Sequence, residues 1–159
     1  MTVALKRYKA SGFTLLDEIG PGGLRSYPVA TTVKIEAGNA VHDNGSGYAT
    51  DATTALAASF LGIADAEADN TSGEDGAINV LVIPPLPHYR FIVPCAADNV
   101  MAQTDIGTMI DLEAAGTVDN SDATIAGGPG FFVDAIDVST EAIAANTYGY
   151  AIGHFAYAA

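Results

Sequence analysis

The chain has 159 residues, a formal net charge of −13 and one cysteine. This length is typical of one domain with its own hydrophobic core. The negative charge repels phosphate backbones and anionic lipid, so we expect neither nucleic acid nor a membrane as a partner. A single cysteine, Cys95, excludes an intrachain disulfide framework and a cysteine-rich zinc site. The 29 alanines and 17 glycines, against only 6 basic residues, favour strands and turns over long surface helices.

The first part of the chain is basic, whereas the rest is acidic. Residues 1–34 carry a charge of +3, and the remaining residues carry Arg90 against 17 acids, or −16. We predict that residues 1–27 form an N-terminal basic arm and a turn, and that residues 28–159 form a single β domain. Within the first region, Phe13–Ile19 is a candidate short strand, and the Gly-Pro-Gly-Gly sequence at 20–23 predicts a turn.

The arm combines positive charge with aromatic rings. Its candidate contact residues are Lys6, Arg7, Tyr8, Lys9 and Phe13. Such a segment suits docking onto an acidic protein surface, on which it becomes ordered, and we expect its deletion (residues 1–12) to leave the fold intact. A frayed terminus without a partner is the alternative interpretation.

The body of the chain shows strand periodicity and turn signals. Alternating residues predict a strand at Val29–Ile35, and the Asn-Gly turn after His42 predicts a hairpin between 39–41 and 48–50. Further strands are predicted at Phe60–Ala64, Ile78–Ile83, Tyr89–Ala96, Thr108–Leu112, Phe131–Val138 and Thr147–Tyr157. We expect the Ile78–Ile83 strand to be buried on both faces and to pair with Tyr89–Ala96.

Other segments are predicted to be helical or irregular. A short helix is predicted at Asp51–Ser59, and an acidic surface loop at Asp65–Gly76. About nine short strands argue for an all-β fold, either a small barrel or a sandwich. An internal echo is also present, because 38–41, 47–48 and 60–64 resemble 107–110, 116–118 and 151–155 in the same order.

Catalytic and metal-binding motifs are weak in this sequence. The histidines His42, His88 and His154 lack close metal-ligand spacing, and no nucleotide-binding loop is present. The acidic loop begins like an EF-hand but has Asn70 where glycine is needed and Gly76 where glutamate is needed. We therefore expect no catalytic residue, cofactor or metal. A thiol–imidazole pair of His88 and Cys95 is the enzymatic alternative, and a buried packing cysteine is favoured over it.

The order of motifs resembles small decoration, or cement, proteins of tailed-bacteriophage capsids. Four motifs carry the resemblance: a G-x-A-V segment, a glycine turn, a segment ending in Gly-Ile-Ala and a valine-rich strand. The residues are Gly38, Ala40 and Val41, then Gly45 and Gly47, then Leu61, Gly62, Ile63 and Ala64, then Val80, Val82 and Ile83. The resemblance covers residues 28–83 and reaches the second half only through the internal echo.

This resemblance implies a β-barrel or β-tulip protein, usually trimeric, that binds the major capsid protein on the outside of the head. It brings no catalytic residues. The expected location is the virion exterior after synthesis in the host cytoplasm, since the apolar run Phe13–Leu16 is too short for a secretory signal. Two alternatives remain open. One is a carbohydrate-binding β module of a phage tail or surface structure, and the other is a small hydrolase that uses His88 and Cys95.

Overall fold

A computed structural model describes residues 8–17, 23–51, 59–96, 99–121 and 129–157 of the chain. The strands are β1 (Thr14–Leu15), β2 (Arg25–Pro28), β3 (Val33–Ile35), β4 (Ala40–Asp43), β5 (Ala49–Asp51), β6 (Phe60–Ala64), β7 (Ala68–Asn70), β8 (Asn79–Ile83), β9 (Phe91–Pro94), β10 (Met109–Ala114), β11 (Thr117–Asp119), β12 (Pro129–Asp137) and β13 (Tyr150–Tyr157). Within these ranges, a 3₁₀ helix at Gln103–Asp105 and a short α-helix, α1, at Thr140–Ala145 complete the secondary structure. The predicted all-β class is confirmed.

The strands form two large antiparallel sheets and a small ribbon. The first sheet has the order β2-β8-β6-β4-β5, the second has the order β1-β9-β13-β12-β10-β11, and β3 pairs with β7. Among the described residues, strand ladders do not close either sheet into a barrel. The two sheets instead share a hydrophobic core, so the architecture is sandwich-like.

The two halves of the chain repeat one strand topology. The first half is Arg25–Ile83, in which the successive sheet strands are β2, β4, β5, β6 and β8. The second half is Phe91–Tyr157, with β9 to β13. In each half the first strand pairs with the fifth, the fifth with the fourth, the fourth with the second, and the second with the third. An isolated parallel bridge then joins the residue after the first strand to the third strand in both halves.

The pairing register repeats as well. Adding 69 to the residue numbers of two first-half pairs gives two second-half pairs. These are Ala40↔Ile63 and Val41↔Gly62 in the first half, and Met109↔Phe132 and Ile110↔Phe131 in the second. The first two segments of the predicted echo are therefore confirmed. Its third segment is wrong, because Phe60–Ala64 corresponds to residues 129–133 and not to 151–155.

Equivalent asparagines stabilise the connection between the fourth and fifth strands of each half. Asn70, which is 2% exposed, donates from Nδ2 to the carbonyl oxygens of Val29, Ala30 and Glu74 at 3.0, 3.0 and 2.8 Å. In the second half, Asn146 Nδ2 donates to the oxygens of Cys95 and Gly149 at 2.8 and 2.7 Å. Val29 and Cys95 each form a parallel bridge to the third strand of their half, so each asparagine binds the backbone at the equivalent bridge residue.

Aromatic packing joins the two halves. Phe155 on β13 lies 4.9 Å from Phe60 on β6, measured between ring centroids, and 5.3–5.6 Å from Phe13, Phe91 and Phe131. Tilted and edge-to-face pairs at these distances contribute about 0.5–1.5 kcal/mol each beyond the area they bury. A second core lies within the first half. It comprises Val29, Ile35, Val41, Ala49, Ala64, Ala68, Val80 and Val82.

Several predicted elements are confirmed and others need correction. The hairpin of β4 and β5 is present, as are the predicted strands at Phe60–Ala64 and in the 108–112 region. The two predicted C-terminal strands are also present, as β12 and β13. The Val29–Ile35 strand is wrong, because the chain turns at Thr31–Thr32, where Thr32 has a φ of 63°. The Asp51–Ser59 helix lies almost entirely outside the described residues. The α1 helix was not predicted; Ser139 caps it by accepting a hydrogen bond from Ala142 N.

Burial and pairing also differ from expectation around the central strands. The strand near Ile78–Ile83 is not buried on both faces, since Leu81 is 44% exposed. Its predicted partner, β9, pairs with β1 and β13 and so belongs to the other sheet. The acidic segment Asp65–Gly76 is not wholly a surface loop, because it contains β7 and the buried Asn70. No helix in the described ranges is long and apolar enough to cross a membrane.

The asparagine pair predicts matched losses of stability. Asn70→Ala should lower the free energy of unfolding in urea by about 2–3 kcal/mol, because buried carbonyl oxygens lose their donor, and Asn146→Ala by about 1–2 kcal/mol. Asn70→Asp should act like Asn70→Ala, because a carboxylate cannot donate. The exposed Asn79→Ala serves as control and should change the free energy by less than about 0.5 kcal/mol. Equal small effects at all three positions would refute this role.

Candidate functional site

The N-terminal segment Tyr8–Asp17 is attached to the second half of the fold at its start. The Tyr8 ring lies 5.2 Å from that of Tyr150, and the Tyr8 hydroxyl donates to Asp137 Oδ2 at 2.5 Å. The Tyr150 hydroxyl donates to the carbonyl oxygen of Lys9 at 2.9 Å. Burial raises the pKa of Tyr150, and the neighbouring Tyr8 and Asp137 raise it further. Tyr8 is thus held by both packing and hydrogen bonds.

The remainder of this segment connects both halves. Gly12 N donates to Gly116 O at 2.7 Å, and Phe13 N donates to Gly38 O at 2.8 Å. Next, β1 pairs with β9. The segment ends where Arg90 N donates to a carboxylate oxygen of Asp17 at 2.7 Å. A chain with this many long-range backbone contacts is part of the folded body.

The predicted contact residues therefore divide into three groups. Lys6 and Arg7 lie outside the described residues. Tyr8 is half-buried and Lys9 is exposed, both where the segment joins the body. Phe13 was predicted as a contact residue, and this is wrong: its side chain is 2% exposed and packs against three other phenylalanines. Residues 14–15 and 25–27, which the predicted arm includes, are strand residues of the folded body, and removal of residues 1–12 would delete the contacts of Tyr8, Lys9 and Gly12.

Positive charge is confined to a few places on the protein. Residues 91–159 contain no lysine or arginine but nine acidic residues. In the first half, Lys34 Nζ lies 3.3 Å from Glu36 and 3.9 Å from Glu67. The hydrogen bond to Glu36, with the charges of Glu36 and Glu67, raises the pKa of Lys34. Lys34 is thus already paired with neighbouring acids, whereas Lys9 lies where the N-terminal segment joins a half without lysine or arginine.

The acidic segment Asp65–Gly76 uses part of its charge internally. Asp69 accepts from the hydroxyl of Thr71 at 2.7 Å and from its backbone N–H at 3.0 Å, and these two bonds lower the pKa of Asp69. Glu67 lies near Lys34. Across the part of the chain that the structure describes, no group of three His, Cys, Asp or Glu side chains is arranged to hold a metal ion.

The histidines and the cysteine have distinct surroundings. The Cys95 thiol is fully buried in the shared core, with Sγ 3.9 Å from Asn99 O, and the exposed His88 packs on Tyr89. His154 Nδ1 lies 2.8 Å from Asp134 Oδ2. Sequence reasoning missed this last pair, because 20 positions separate the two residues and only the β12–β13 register brings them together.

A polar pocket was also missed. It has a volume of about 380 Å³ and lies between the segment after β9 and the end of β11. Its lining residues are Asn99, Val100, Ala102, Thr104, Asp105 and Asn120. Polar residues are common in loops of any function, and therefore this composition alone gave no signal of a pocket.

Comparison with models of known protein families finds no match, and comparison with curated proteins finds none either.

Asp51 marks an electrostatic difference between the halves. It lies half-buried on β5, where Asn39 Nδ2 approaches its carboxylate at 3.5 Å. Burial raises the pKa of Asp51; the Asn39 hydrogen bond opposes this effect, and the charge of Glu36 adds to it. The residue 69 positions later is Asn120, which carries no charge. The first half therefore keeps a partly desolvated charge where the second half has an amide.

The raised pKa predicts a pH-dependent effect of Asp51→Asn. Well below pH 3.8, the ordinary pKa of the group, the Asp51 carboxyl is protonated in both the folded and the unfolded protein. As pH rises, the unfolded protein ionises first because its pKa is lower, and the folded protein loses relative stability until the pH exceeds the folded-state pKa. Asp51→Asn should therefore increase the free energy of unfolding at pH 7, by less than about 1 kcal/mol because the group is partly solvated, and should have no effect at pH 3. Urea titrations check this. The exposed Asp65→Asn controls for net charge, and an equal gain there at pH 7 would contradict the expectation.

Proposed function

We propose that this chain is a structural virion protein that decorates the outer surface of an assembled phage head and stabilises it. The observation that carries this proposal is the anchoring of Tyr8 and Lys9 against Asp137 and Tyr150. It fixes the end of a basic segment at one place on the body. Lys6 and Arg7 directly precede that anchor in the sequence, and they are the proposed contacts to an acidic surface of the major capsid protein.

Charge complementarity supports this partner. A basic segment is attracted to an acidic protein surface, which accelerates encounter and fixes orientation. The anchor fixes Tyr8 and Lys9 before a partner binds, and this reduces the entropic cost of association. The second half, with nine acids and no lysine or arginine, repels nucleic acid and other copies of the same face. Together these features suit a protein that binds by one basic segment and presents an acidic surface to solvent.

Such a protein acts by mass action. A ligand that binds the assembled shell but not its separate subunits stabilises the shell by an amount that grows with its concentration relative to the dissociation constant. No catalytic step is needed, and the complete burial of Cys95 favours this proposal over a thiol hydrolase, since a buried thiol cannot reach a substrate. We also propose location on the virion exterior, with the major capsid protein as partner.

The decoration hypothesis predicts a closed trimer. Size-exclusion chromatography with light scattering should give about three times the chain mass of 16.2 kDa, because cyclic symmetry matches threefold positions of a capsid lattice. A second measurement should count the copies of the protein bound at each threefold site of the heads. A monomer in solution that also binds heads as single copies would contradict the trimer.

Arg7→Glu should weaken binding to phage heads at least tenfold. The probe is a preparation of heads from a phage that encodes this chain, stripped of the protein, and the measurement is co-sedimentation at about 0.1 M salt. The reversed charge opposes an acidic capsid surface, and the effect should shrink as salt screens it. Arg25→Glu on β2 is the matched control and should change binding less than about twofold.

Two outcomes would overturn the proposal. One is the absence of saturable binding of the unmodified protein to the stripped heads. The other is an equal loss for Arg7→Glu and Arg25→Glu, which would show that only net charge matters. Circular dichroism and urea titration of both variants should match the unmodified protein, so that altered binding is not caused by unfolding.

A further inference from the structure

The polar pocket occupies a position that the two halves use differently. In the first half, the segment after the first strand forms β3, which pairs with β7 and packs beside β5. In the second half, the corresponding segment forms the 3₁₀ helix at Gln103–Asp105, and no ribbon of this kind is present among the described residues. The pocket lies here, between the 3₁₀ segment and Asn120 after β11.

The pocket wall is held by its own hydrogen bonds. Asp105 Oδ2 accepts from Ala102 N at 2.7 Å and from Asn120 Nδ2 at 3.3 Å. Asn120 Nδ2 also approaches Asn99 O at 3.2 Å. Between Val100 and Ala102 of the lining, the buried Met101 donates from its backbone N–H to Tyr148 O at 2.9 Å. Groups fixed in this way lose little freedom when a ligand binds, which is a condition for a usable site.

The chemistry of the lining selects the class of ligand. The Asn99 side chain, the Thr104 hydroxyl and the Asp105 carboxylate offer both donors and acceptors, and Val100 and Ala102 add small apolar surfaces. The carboxylate of Asp105 and the net charge of −13 disfavour anions. A metal ion is disfavoured too, because Asp105 is the only carboxylate in the described lining. A neutral molecule with several hydroxyl groups satisfies these constraints.

We propose that this pocket binds a short neutral saccharide through hydrogen bonds to Asn99, Thr104 and Asp105. Its volume of about 380 Å³ is at the small end of ligand pockets, so one or two sugar rings are expected. The described lining has no aromatic ring on which a sugar could stack, and the affinity should therefore lie in the millimolar range. This activity is independent of capsid binding and concerns the protein alone.

The test is a titration of the ¹⁵N-labelled protein, followed by amide chemical shifts. The probes are glucose, galactose, mannose, N-acetylglucosamine and their common disaccharides, each to about 50 mM. We expect saturable shifts for at least one probe, confined to the amides of 99–105 and 120–121. Thr104→Val and Asn99→Ala, both at exposed positions, should raise the dissociation constant at least fivefold. Thr50→Val on β5 is the matched control and should leave it unchanged.

Each other outcome overturns the proposal. Absence of saturable shifts with every saccharide, shifts centred on another surface, or equal affinity of the Thr104→Val variant would exclude a saccharide site here. Ethanolamine is included as a cationic probe. Saturation by ethanolamine but by no saccharide would show that Asp105 selects charge and that the assigned ligand class is wrong.

Discussion

The packing of Phe155 is the interaction on which the rest of the structure depends. Its ring contacts Phe60 from the first sheet, Phe91 and Phe131 from its own sheet, and Phe13 from the N-terminal segment. Three separate parts of the chain thus meet at one side chain. Loss of this ring would remove aromatic contacts between the halves and leave a cavity in the shared core, so the sandwich and the position of the N-terminal segment are coupled through it.

The repeated topology explains why the chain needs such a junction. Each half has five strands in one order and register, a parallel bridge, and an asparagine that supports the bridge residue. The two halves differ in the segments between these common strands. The first half adds a ribbon that fills a core of its own, whereas the second adds a 3₁₀ turn and a helix and leaves a polar pocket. The common strands therefore provide rigidity, and the insertions carry the features specific to each half.

Sequence patterns predicted local elements better than long-range pairing. The hairpin of β4 and β5 was predictable because an Asn-Gly turn and alternating residues act within a dozen positions. Pairing of β9 with β13 was not, since two near-continuous apolar strands are equally suited to either sheet. The sequence predicts a solvated loop at Asn70 because its neighbours are acidic, yet its three acceptors come from distant residues and a nearby turn. The same limit applies to the candidate site: Phe13 follows basic residues, and only the fold shows that it belongs to the core.

The packing of the N-terminal segment also determines which charges lie near it. Tyr8 makes its contacts on the second half, which has no lysine or arginine, and its hydroxyl binds one of that half's carboxylates, Asp137. The backbone of Lys9 is thereby held on a half that has acidic side chains and no lysine or arginine, so an acidic partner must compete with those carboxylates for this lysine. An acidic partner can succeed only if it offers a denser negative surface or excludes water from the contact, since solvent-exposed ion pairs contribute little. Under the proposed function, binding through this segment would therefore favour an assembled surface, on which acidic groups from neighbouring subunits are brought together, over an isolated subunit.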